Sequence, residues 1–66
     1  MYIGNFEEYR GYIGSINYDP EDNVYYGKLL NIMDVISYQG NDITELERDY
    51  CETVDWYIDL IRSCSE

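Results

Sequence analysis

The sequence predicts an α+β fold. It is a three-stranded antiparallel meander followed by one long helix packed on one face, in the order β-β-β-α. Three observations predict it. Residues 9–39 hold short runs rich in β-branched, aromatic and aliphatic residues, broken by polar turns. From residue 43 the apolar period changes to three-and-four spacing. At the change sits a helix-start signature, Asp42 with Glu45 three residues on.

The first eight residues, "MYIGNFEE", mix polar and apolar types without a period and read as a lead-in. "YRGYIGSINY" (9–18) alternates like a strand. "DPEDN" (19–23) is a turn, because Pro20 presets φ and Asp19, Asp22 and Asn23 tolerate turn geometry. "VYYGKLLNI" (24–32) reads as a second strand, joined to the first as a hairpin. Gly11, Gly14 and Gly27 inside these runs point to bulges or to close packing against large neighbours. "MD" (33–34) is a tight link into a third strand, "VISYQ" (35–39).

The helix is expected over 42–63, near 30 Å long at about 1.5 Å per residue. Ile43, Leu46, Tyr50, Val54, Tyr57, Ile58 and Ile61 form its apolar stripe. Residues 1–66 therefore make a single small domain. Domains of this size bury only about 60% of their unfolded surface, so association with a partner or a second copy is expected. Nine tyrosines strengthen that expectation. One helix covers one face of a sheet, and alternate tyrosines on the other face would remain exposed.

The formal net charge is −10. Such a surface repels nucleic-acid backbone and attracts basic proteins. Direct nucleic-acid binding is not expected, and composition alone favours simple solvation as the use of the charge. Cys51 and Cys64 lie on one predicted helix, which separates them by about 20 Å. A disulfide tolerates only about 7 Å, so that helix excludes a bridge between them. Reduced thiols fit a cytoplasmic location. No apolar run approaches the roughly 20 residues of a membrane span.

Catalysis finds little footing. The chain has no histidine, so Ser-His and Cys-His nucleophiles lack their base and a zinc site lacks its common ligand. Asp19, Glu21 and Asp22 resemble part of a calcium loop but lack the glycine and terminal glutamate of an EF-hand. The glycines sit inside strands and open no helix, so no phosphate cradle is formed. No enzyme activity, cofactor or metal is expected. What stands out is the helix. Asp42, Glu45, Glu47, Asp49, Glu52, Asp55, Asp59 and Glu66 face only Arg48 and Arg62 as counter-charges. Glu45, Glu52, Asp55 and Asp59 lie off the apolar stripe, and Trp56 falls at its edge or outside it. Tryptophan is enriched among interface hot spots. Glu45, Glu52, Asp55, Trp56 and Asp59 are the candidate partner-binding residues.

"YRGYIGSI", "DPEDN", "YYGKL", "DVISYQG", "ITELERDY" and "VDWYIDL" occur in a characteristic order and spacing. Together they resemble the N-terminal domain of HicB-like antitoxins from HicA–HicB toxin–antitoxin systems. The resemblance spans about residues 9–60. It implies a sheet-plus-helix domain that binds a small basic ribonuclease toxin of double-stranded-RNA-binding-like fold and blocks its catalytic face. Two departures stand out. Trp56 occupies the place of the second acid in the family's helix motif. The usual further strand and DNA-binding domain are not found before the closing "RSCSE", so operator binding is not implied. An alternative use of the scaffold is a phage or mobile-element inhibitor, such as an anti-CRISPR protein. It would block a nucleic-acid-binding defence effector by acidic mimicry. Either way the expected partner is basic, with a homo-oligomer also expected.

Overall fold

The computed structural model describes residues 1–64. It shows one antiparallel sheet of four strands with a C-terminal helix. The strands are β1 (Tyr2–Asn5), β2 (Ser15–Asp19), β3 (Val24–Lys28) and β4 (Ser37–Gly40), and they lie in chain order across the sheet. The helix, α1, spans Ile43–Cys64. The α+β class and the single terminal helix are as expected. The strand count is not: the sheet has four strands where three were expected, because part of the lead-in is a strand. Met1 and Tyr18 exchange both backbone hydrogen bonds at 2.8 Å, which starts β1 against β2. A bulge between Tyr2 and Gly4 interrupts the pairing, so the strand carries no clean alternation.

The run expected as one strand from residue 9 is divided. Tyr9 and Tyr12 exchange hydrogen bonds of 2.9 and 3.0 Å around Arg10 and Gly11, whose φ angles are 52° and 90°. Positive φ at both central residues is the geometry of a two-residue hairpin turn. Regular pairing begins only at Ser15. The Asp19–Asn23 turn forms as expected: Asp19 Oδ1 accepts from the Glu21 amide at 3.0 Å, and Asn23 takes φ 53°. β3 ends at Lys28 rather than Ile32, and the link expected at 33–34 is a longer excursion. There Asn31 ties the loop to the first hairpin, donating to the Gly11 carbonyl and accepting from the Ile13 amide.

Directly paired residues share a face of a sheet. Tyr18, Tyr25 and Gly40 form one row on the helix side of the sheet, and Gly27 and Tyr38 the next. Leu46, Tyr50, Val54 and Tyr57 descend onto these rows and close the core with Leu29 and Tyr38. Ile58 packs partly against it, while Ile43 and Ile61 at the stripe's two ends stay exposed. Seven of the tyrosines join this side or its rim through ring or core contacts, namely Tyr9, Tyr12, Tyr18, Tyr25, Tyr38, Tyr50 and Tyr57. The open face holds a different row, Tyr2, Asn17, Tyr26 and Gln39. It is thus less tyrosine-rich than the sequence predicts.

One knot fixes the depth of the core. The Tyr38 ring lies across Gly27, and its hydroxyl donates to the Ser15 carbonyl at 2.9 Å. That carbonyl has left the ladder, so the Ser15 hydroxyl takes its place and accepts from the Lys28 amide at 3.1 Å. A Cβ on Gly27 would collide with the Ser15 carbonyl oxygen and meet the Tyr38 ring at 2.8 Å. Gly14 is filled in the same way, by the Tyr38 hydroxyl and the Tyr50 ring.

Two predictions follow from this packing. Gly27→Ala is expected to lose about 2–3 kcal/mol or more, read as a lower urea midpoint, because backbone cannot yield as a side chain can. The second concerns alkaline pH. Burial raises the pKa of Tyr38, Tyr50 and Cys51, and hydrogen bonds to Asp55 and Asp34 raise those of Tyr9 and Tyr57. The folded state keeps these protons longer than the unfolded chain does. Stability is therefore fully present below the ordinary thiol and phenol values, about 8.5 and 10, and is lost as pH rises through them. Thermal midpoints measured across the alkaline range should fall; a flat profile would contradict the packing described.

Candidate protein-binding surface

The helix begins where its polar start signature lies. Asp42 Oδ1 accepts from the Glu45 amide at 2.8 Å, and Glu45 Oε1 accepts from the Asn41 amide at 3.2 Å. Asp42 thereby satisfies an amide that the helix start leaves unpaired, and Glu45 ties down the residue before the cap. Glu45 is exposed, but its carboxylate is engaged with its own backbone.

Four residues lower on the helix fasten it to the rest of the chain. Asp49 accepts from the Gln39 amide at 3.1 Å. The Tyr50 hydroxyl donates to the carbonyls of Tyr12 and Glu7. The Tyr57 hydroxyl donates to Asp34 at 3.0 Å. Asp55 receives the Arg10 guanidinium at 2.6 Å and the Tyr9 hydroxyl at 3.1 Å. Arg10 reaches it from the left-handed turn, and the contact holds the guanidinium's pKa above its ordinary value.

Glu52, Asp55, Trp56 and Asp59 stand at positions i, i+3, i+4 and i+7, so they share one stripe. Glu45 lies two turns before Glu52 on the same line. The structure thus brings all five candidates to the outward side of α1, but it divides their labour. Glu45 caps the helix and Asp55 clamps the first hairpin. Glu52 and Asp59 are exposed and make no hydrogen bond or ion pair among the described residues. Trp56 is 55% exposed between them and joins no ring pair among the described residues. Glu66 lies outside the described residues.

A second acidic feature lies where the sequence showed only a lead-in. A cleft of about 580 Å³ opens between residues 5–9 and the first half of α1. Glu7, Glu8 and Glu47 line it together with Phe6, Tyr9 and Cys51. Burial first, then Glu47 and Asp55, push the Cys51 thiol's pKa up, so the thiol is held protonated. The signal for this cleft was the pair Glu7-Glu8 after Phe6, legible only once β1 was known to dock. Among the described residues, no three His, Cys, Asp or Glu side chains are placed to hold a metal ion. No helix among them is long and apolar enough to cross a membrane.

Comparison with protein-family profiles, with curated proteins and with solved structures returned no match.

The Asp55 clamp makes an asymmetric prediction. Asp55→Ala should lower the urea midpoint, since it strands both Arg10 and Tyr9. Arg10→Gly should change it less, because glycine relieves the positive φ while the exposed ion pair is lost. Equal losses would show that the turn carries no strain.

Proposed function

We propose that this chain is a binding module, not an enzyme, which acts as an antitoxin-like inhibitor in the cytoplasm. It occludes a small basic ribonuclease through the outer face of α1. The observation that carries this reading is Trp56, exposed on a rigid helix and flanked one turn away on each side by the uncommitted carboxylates of Glu52 and Asp59. An aromatic anchor with a ring of like charge suits a cationic, nucleic-acid-binding face: the ring supplies buried area, and the acids supply steering and register. The net charge of −10 extends that attraction over the encounter distance. The resemblance of "DVISYQG", "ITELERDY" and "VDWYIDL" to HicB-like antitoxins supports the same partner class. A nucleic-acid-binding defence effector presents similar chemistry and serves as the comparison arm of the test.

The test is titration of the chain against the product of the neighbouring gene, with RNA cleavage as the readout. Tight binding with loss of cleavage is expected. Trp56→Ala should weaken binding about 30-fold or more while leaving the thermal midpoint near the parent value, since Trp56 is more than half exposed and no member of the core cluster. Glu52→Lys with Asp59→Lys should weaken binding and flatten its dependence on salt. Undiminished cleavage at low salt, or binding only to the defence effector, would sink the ribonuclease reading.

A further inference from the structure

The two edges of the sheet are treated differently. At β4 the outward Gln39 amide is already taken by Asp49 of the helix, which also packs along that strand. At β1 nothing among the described residues covers the edge. Met1 and Tyr18 exchange both hydrogen bonds, so by alternation the Tyr2 amide and carbonyl point away from β2. Met1, Tyr2 and Ile3 are 74%, 62% and 53% exposed. Native sheets ordinarily blunt such an edge with charge, proline or a cover. Here the bulge after Tyr2 shortens the edge, but no charged side chain guards it from Tyr2 to Phe6.

We infer that β1 is the seam of a two-fold homodimer, in which the β1 strands of two copies pair antiparallel and join the sheets. Two observations select a second copy as the occupant. The first is charge. Two chains of −10 repel, so they can meet only where the surface is neutral. The row that would become continuous across the seam, Tyr2, Asn17, Tyr26 and Gln39, contains no charge on any strand. A basic partner would find nothing there to attract it. The second is closure. With the outward Gln39 amide of β4 already taken by Asp49, head-to-tail stacking of β1 on β4 would forfeit that ladder bond, which favours β1 on β1 and closure at two copies. This inference does not depend on the ribonuclease reading, since the seam and the outer face of α1 share no residue.

Sedimentation equilibrium on the intact chain tests it. A concentration-dependent dimer is expected, with the Tyr2 amide becoming protected from hydrogen exchange as concentration rises. Tyr2→Pro removes the outward donor and Ile3→Lys places like charges at the seam. Each should shift the chain to monomer with the helix signal in circular dichroism unchanged. A monomer into the millimolar range overturns the proposal. So does a dimer that persists in both folded variants, because it would lie elsewhere. A variant that fails to fold leaves the exchange measurement on the parent chain decisive: an unprotected Tyr2 amide in the dimer refutes the seam.

Discussion

The fold depends on one arrangement, the Tyr38 ring laid over Gly27 with its hydroxyl on the Ser15 carbonyl. It turns a ladder acceptor out of the sheet to serve a side chain, and the Ser15 hydroxyl restores the ladder bond that was lost. The exchange leaves Ser15 buried and satisfied. It also sets the height at which Tyr50 can rest, because the two rings meet at 5.6 Å over Gly14. The position of α1 follows from that height. A core built from tyrosines is thus workable in a small domain, since each hydroxyl finds an acceptor: Tyr38 at the buried Ser15 carbonyl, Tyr50 at Tyr12 and Tyr57 at Asp34.

The same economy governs the acids. Asp42 and Glu45 start the helix, Asp49 covers a strand edge, and Asp55 and Asp34 accept from side chains of the core and its rim. What looked in the sequence like a uniformly acidic helix is two populations. One is spent on the fold. The other keeps no such bond among the described residues: Glu52 and Asp59 stand exposed around Trp56, and Glu47 lines the acidic cleft.

Much of this was legible beforehand, and the reasons differ by element. The helix was readable because Leu46, Tyr50, Val54 and Tyr57 repeat with its period and Asp42 marks its start. The "DPEDN" turn was readable because its residues prefer turn geometry for local reasons. β1 was not, since a four-residue strand with a glycine and a bulge has too few positions to show alternation. The Arg10-Gly11 turn was hidden for another reason: arginine is a poor left-handed residue, and what holds it there is Asp55, forty-five residues away. Long-range partners also explain why Asp55 could be placed on the outer face but not assigned its clamp. The exposure of Trp56 could be framed only as an alternative, because position on a helix does not say how wide the covering sheet is.

The outward stripe has no share in the core, and this has an evolutionary consequence. Glu52, Trp56 and Asp59 can each be exchanged without disturbing Leu46, Tyr50, Val54 or Tyr57, which carry the packing. On the proposed reading, recognition can therefore change while the packing of the core stays as it is. If that face binds a partner as proposed, rewriting a few helical positions retargets it and leaves the scaffold untouched.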